Sequence, residues 1–178
     1  MPDSRCITPS VLTHFAVELF EAAKVSADEA RIVTESLVDA NLRGHDSHGV
    51  VQIPDYVGQL ANGELVAGAV LEMLSETESA LTADARFGFG QVQTAKLIER
   101  LVPKAKQQGI SCGTMLNCGH VGRLGEWTER IACGGLAGLM TVNDNGVLQC
   151  VAPPGGTAPR ISTNPIAIGV PQETGRSV

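Results

Sequence analysis

The residues best suited to chemistry lie in one short stretch, Leu42–Tyr56, which reads LRGHDSHGVVQIPDY. His45, Asp46, Ser47 and His48 are consecutive there, Arg43 lies just before them, and Gly44 and Gly49 bracket them. Histidine titrates near neutral pH, so His48 can give or take a proton at low cost and is the leading general acid/base candidate. Ser47 beside it can orient the ring or relay its proton. Asp46 is too constrained by its place in the chain to brace that ring, so no local carboxylate defines the tautomer. Two other readings stay open at this point. The stretch can be a polar helix-capping loop, with Ser47 as the cap and the histidines exposed. His45, Asp46 and His48 can also be zinc ligands of a metal-dependent hydrolase, although no further ligand stands at recognisable spacing.

A second polar stretch, Asn117–Gly125 (NCGHVGRLG), carries His120, and the two stretches together hold three of the four histidines. His120 can hydrogen-bond a substrate or a cofactor. Gly119, Gly122 and Gly125 recur every three residues, which is not G-x-G-x-x-G, so the Rossmann fingerprint is absent. Arg123 beside a helix start suits a phosphate or a carboxylate. Gly155-Gly156 and Ser162-Thr163-Asn164-Pro165 can add backbone donors around a ligand. Each of these stretches also reads as an ordinary turn. Tyr56 and Trp127 read as packing residues, the cysteines as small core residues, and His14 as a surface histidine.

The elements that must position these groups follow from caps and periodicity. Thr8-Pro9 opens a helix whose apolar face is expected at Val11, Leu12, Phe15, Leu19, Ala22 and Ala23. Ser26 with Glu29 forms a capping box for a helix to about Asn41, with Ile32, Val33, Leu37, Val38 and Ala40 inward and Gly44 as its stop. A third helix is expected from near Gly49 to Asn62-Gly63, with Val50, Ile53, Val57 and Leu60 apolar. That places Ser47 and His48 at its start. Strands are expected at Val70–Ser75 and Ala80–Ala83, the second a possible hairpin partner of the first. A helix then runs from the Gly88-Phe-Gly90 turn to Gln108, with Pro103 marking a kink or an early end. Next comes strand Ile110–Leu116, the histidine loop, helix Leu124–Cys133, a Gly134-Gly135 break and strand Leu136–Val142. Helix starts after strands expose unpaired N–H groups, so ligands favour such a loop. Asn143–Gly146 is a turn, Pro153–Gly156 a loop, Ile166–Val170 a strand, and Gly175–Val178 reads as the start of another. The division expected is a helical segment, 1–75, with the acid/base loop, then a mixed α/β part, 76–178.

Composition excludes several classes. The 178 residues are 43% hydrophobic and 18% charged, enough for a real core and too apolar for disorder. The net charge of −6, with no basic run, argues against nucleic acid as a partner. No stretch approaches the ~20 apolar residues that span a bilayer, so no membrane partner is expected. Five cysteines without a C-x-x-C pair or a secretory signal point to reduced thiols in the cytoplasm. Glycine is abundant (20) and aromatics are scarce (3%), as in loop-rich α/β proteins whose backbone approaches ligands closely.

At these residues the chain resembles the malate/L-lactate dehydrogenase family that lacks a Rossmann fold. That family also contains sulfolactate and ureidoglycolate dehydrogenases and cyclic imino-acid reductases. The matching stretches are R-G-x-D-S-H-G-V (Arg43–Val50) with P-x-Y (Pro54–Tyr56), N-x-x-H-x-G (Asn117–Gly122), Pro154-Gly-Gly156 and T-N-P-I-A-I-G-V-P (Thr163–Pro171). The resemblance implies the family's own α/β fold, a homodimer, and reversible hydride transfer between NAD or NADP and a 2-hydroxy/2-oxo acid pair or a cyclic imine. By motif position, His48 would be the proton donor or acceptor, with Ser47 as its relay partner. His120 would contact the substrate or act as the acid/base. His120, Val121, Gly122, Arg123 and Leu124, with Ser162, Thr163 and Asn164, would line the cofactor site. No metal is implied.

Two departures stand out. The family usually has arginine where this chain has Gln52, so the charge that would pair with a substrate carboxylate is missing. Arg43, Arg123 or Arg160 could compensate, or the substrate differs. Family members are also about twice as long, and the aspartate that completes the Ser–His relay lies in the part absent here. The expectation is therefore a truncated chain, a fragment or one piece of a split protein. The alternative to a working dehydrogenase is a catalytically incomplete module for binding or dimerisation.

Overall fold

The computed structural model describes residues 6–143 and 149–172. Two compact units are present, Met1–Arg123 and Leu124–Val178. The division expected after residue 75 falls inside a strand of the first unit, whose hairpin is tied to the helices by a long crossover helix.

In the first unit, α1 (Pro9–Ala22) starts on Thr8 with proline in its first turn, as its sequence requires. Its buried face is Ala16 and Phe20, whereas Val11, Phe15 and Leu19 are 60%, 57% and 37% exposed. The expected face is thus corrected. Two apolar stripes compete on α1, and the one carrying small Ala16 lets α2 (Ala27–Leu42) approach closely. Ser26 caps α2 by accepting from the N–H of Glu29 at 3.4 Å. The expected box is only half formed, because the Glu29 carboxylate instead accepts from Gly68 N–H at 2.7 Å. The inward face of α2 holds Val33, Leu37, Val38 and Ala40 as expected. Gly44, in the left-handed region, follows its end.

The third helix begins later than expected. Two single 3₁₀ turns, Asp46–His48 and Val50–Gln52, precede α3 (Ile53–Asn62), which ends on left-handed Gly63. Phe20 joins Tyr56 and Phe89 in the centre of the helical core, with ring centroids 6.4 and 5.8 Å away. Burial of one such aromatic contributes about 1.5–3 kcal/mol.

Strands β1 (Glu72–Glu76) and β2 (Ala80–Asp84) form the antiparallel hairpin. Helix α4 (Gly90–Gln108) then crosses over, and β3 (Cys112–Leu116) returns parallel to β2, Ala80 beside Cys112 through Asp84 beside Leu116. Leu97 on α4 packs against Leu81 and Ala83 of the sheet. Pro103 does not end α4, which continues to left-handed Gly109.

In the second unit, α5 (Leu124–Cys133) has its expected bounds. Strand β4 (Gly138–Thr141) pairs antiparallel with β5 (Ile166–Gly169), so β3 and β4, which flank the histidine loop and α5, belong to different sheets. Gly138 and Gly169 lie against α5, where a Cβ on Gly169 would overlap backbone atoms of Thr128. Pro153–Gly156 is a turn with left-handed Gly155. Most of the Asn143–Gly146 turn and all of Gly175–Val178 lie outside the described residues. No helix among the described residues is long and apolar enough to cross a membrane.

The cysteines are not core residues. Cys6, Cys112, Cys133 and Cys150 are exposed, and only Cys118 is half-buried, where burial pushes its thiol up to about 12. Small volume favours burial of cysteine, but here the alternation of β3 and the ends of elements turn four of them outward.

Candidate active site

The His48 loop is built by Asn41, the penultimate residue of α2. Its side-chain carbonyl accepts from Val50 N–H at 2.8 Å, and its amide donates to Asp46 Oδ1 at 2.6 Å. Gly49 runs so close that a Cβ there would overlap the Asn41 side chain. Gln52 closes the turn by donating from Nε2 to the Ser47 carbonyl at 2.7 Å. The turn is therefore held from both sides without a capping hydroxyl. Ser47 lies within the first 3₁₀ turn, and its Oγ meets His48 Nδ1 at 2.9 Å. That removes the capping-loop reading for Ser47. His48 is half-buried, and burial, followed by the nearby His45 ring, lowers its pKa.

The His120 loop is placed by backbone contact with the start of α4. Gly119 N–H donates to the Gly88 carbonyl at 3.1 Å. A Cβ on Gly90 would overlap the carbonyls of Gly119 and His120. This crossing carries His120 to His48, with ring centroids 5.2 Å apart and planes tilted by 41°. His120 Nδ1 lies 2.7 Å from the hydroxyl of Tyr56, which accepts from Gln91 Nε2 at 2.9 Å. His120 is an exposed residue. Desolvation by neighbouring protein atoms, then the His48 ring, lowers its pKa to about 4.

Ser47, His48 and His120 thus come together, with Gln52 behind the Ser47 carbonyl. The arginines do other work. Arg123 is buried and pairs with Asp39 at 3.0 Å, and Arg43 reaches the other oxygen of Asp39 at 3.3 Å. Val121 and Gly122 are buried, and Gly122 is left-handed. In the second unit, buried Leu124 starts α5, while Ser162 is half-buried and Thr163 and Asn164 are exposed. Those hydroxyls and that amide are the donor types that neutral parts of a dinucleotide, its riboses and carboxamide, would take. No group of three His, Cys, Asp or Glu suited to a metal ion is present among the described residues.

Sequence reasoning missed Tyr56 and Gln91 as site residues. Tyr56 sits at a helical core spacing and Gln91 in the first turn of α4, so periodicity files one as packing and the other as surface. Their burial beside His120 depends on contacts 64 and 35 residues apart in the chain. The only local hint was the glycine pair flanking Phe89.

A helical region leading into a small mixed sheet, with paired histidine loops and no Rossmann turn, defines an α/β class outside the doubly wound nucleotide-binding folds. The chain belongs to the malate/L-lactate dehydrogenase family, whose model matches residues 7–178. It is 34% identical to hydroxycarboxylate dehydrogenase B of Escherichia coli O157:H7 over 162 residues, 91% of this chain and 45% of that protein. It is 32% identical to (2R)-3-sulfolactate dehydrogenase (NADP(+)) of Chromohalobacter salexigens, over 95% of this chain and 50% of that one. The structure of malate dehydrogenase from Pyrococcus horikoshii superposes with a TM-score of 0.90 at 29% identity, covering 97% of this chain and 49% of the other. The chain spans about half the length of the curated relatives it matches.

Proposed function

We propose that the chain serves an NAD(P)-dependent dehydrogenase interconverting a malate- or lactate-like 2-hydroxy acid and its 2-oxo acid. The observation that carries this is the meeting of Ser47-bound His48 with Tyr56-bound His120, rings 5.2 Å apart. A small polar group can touch both rings at that separation. Bound NAD or NADP would supply or take the hydride at the carbon. His48 gives the proton to the carbonyl oxygen, or takes it from the hydroxyl, and Ser47 holds the ring while it does so. Gln52, where the family has arginine, and Arg43 border the substrate side. His120, Val121, Gly122 and Arg123 in the first unit are the candidates to hold the cofactor there, and Leu124, Ser162, Thr163 and Asn164 are the candidates in the second unit. Arg123 acts through its Asp39 pair rather than as a lone cation.

Mixing the protein with NADH or NADPH and a series of 2-oxo acids should consume the nicotinamide absorbance. A folded, monodisperse sample that binds neither cofactor by fluorescence would sink the proposal. A second reading is a module that binds or dimerises without turnover. Cofactor binding without oxidation would identify it. A homodimer and a cytoplasmic location are part of the proposal, supported by the exposed apolar stripe of α1 and by five cysteines that form no disulfide.

A further inference from the structure

Gln91 is polar yet fully buried, in the first turn of α4. Its amide donates to the Tyr56 hydroxyl, which lies 2.7 Å from His120 Nδ1. A phenol has one proton. Since Tyr56 accepts from Gln91, its own proton points to His120 Nδ1, and the imidazole proton is left on Nε2. The opposite amide orientation would strand a buried NH₂. As placed, the atom without a partner is the Gln91 carbonyl oxygen, the less costly orphan. The geometry is tightly enforced. Phe20 and Phe89 wall the Tyr56 ring at 6.4 and 6.0 Å. A Cβ on Gly122 would press to 3.3 Å of Gln91 Nε2 and 3.2 Å of Ser36 Oγ.

We propose that Gln91 and Tyr56 are positioning residues that fix His120 as the neutral Nε2–H tautomer, so that His120 donates a hydrogen bond to the substrate oxygen while His48 alone moves the proton. This rests on the dehydrogenase reading above. Burial raises the Tyr56 pKa, so the phenol stays protonated and acts as a donor, not a proton source. The lowered pKa of His120 keeps its ring neutral through the physiological range.

Long-range ¹H–¹⁵N spectra of the labelled protein read ring tautomers directly and need no turnover, so they separate this proposal from the activity. The wild-type His120 signals should show a protonated Nε2 and an unprotonated Nδ1. Tyr56→Phe, which keeps the ring packing, should collapse that single-tautomer pattern into a mixture. Gln91→Met, which removes the donor that orients the phenol, should do the same. A wild-type proton on Nδ1 would overturn the proposal, as would a tautomer unchanged in both folded variants. The wild-type spectrum decides even where a variant fails to fold.

Discussion

Between the Ser47 hydroxyl and the tilted ring of His120, His48 occupies a half-buried position where its charged form is disfavoured. At neutral pH it is therefore poised as a base. Oxidation of a 2-hydroxy acid needs neutral His48, so its rate should rise with pH through a value below 6.5 and be flat above it. Reduction needs the protonated ring and should weaken over the same interval. The pH profiles of kcat/KM in the two directions check this, and an oxidation limb above 6.5 would argue against His48. Replacing His48 with alanine should lower turnover about 10²–10⁴-fold. If turnover is near normal, the proton passes elsewhere. His120 has a different pH signature. Its folded pKa of about 4 lies below the unfolded value of 6.5, so between these values the unfolded chain binds more protons. Stability should fall as pH drops from about 6.5 toward 4 and be unaffected by this group at higher pH. Thermal unfolding followed across that window should show a shallower loss for His120→Gln than for the wild type.

Glycines at two crossings let the elements bring these side chains together. At Gly90 a methyl group would meet the carbonyls of Gly119 and His120, and backbone cannot swing aside as a side-chain tip can. Gly90→Ala should cost about 1–3 kcal/mol, measured by urea unfolding, and displace His120 from His48. At Gly49 the obstacle is the Asn41 side chain, which itself holds the His48 turn. Gly49→Ala should therefore loosen that turn even where overall stability changes little, seen as new exchange broadening at His48. The sequence carried the element ends well, because caps are local. Pro9, Ser26, Gly63 and Gly109 each act within a turn of their own helix. It carried the inward face of α1 poorly, because two apolar stripes are equally periodic and only the packing of α2 chooses between them. The two histidine loops were legible as chemistry, but their meeting, and the Tyr56–Gln91 support, depend on tertiary contacts that no spacing encodes.

Across the whole molecule, the charge available to an acidic substrate and the apolar surface left bare both follow from how α1 and α2 pack. Asp39 on α2 engages Arg43 and Arg123 together, so neither approaches a carboxylate without giving up an ion pair. With Gln52 neutral, Gln52→Arg should restore a bidentate donor and lower KM for dicarboxylic 2-oxo acids more than for pyruvate-like ones. An equal change for both would show that the position does not read the second carboxylate. On the far stripe of α1, Val11, Phe15 and Leu19 recur four residues apart and stay exposed, because α2 covers Ala16 and Phe20 instead. Large exposed apolar patches in folded proteins usually mark contact with another surface. A two-fold pairing would let the stripe cover itself, since each copy brings the same residues to the axis. Phe15→Glu would then place a charge against its own copy across that axis. Sedimentation velocity should show a dimer for the wild type and a monomer of unchanged circular dichroism for the variant. A wild type that sediments as a monomer at every concentration tested would remove the homodimer from the proposal while leaving the His48 chemistry untouched.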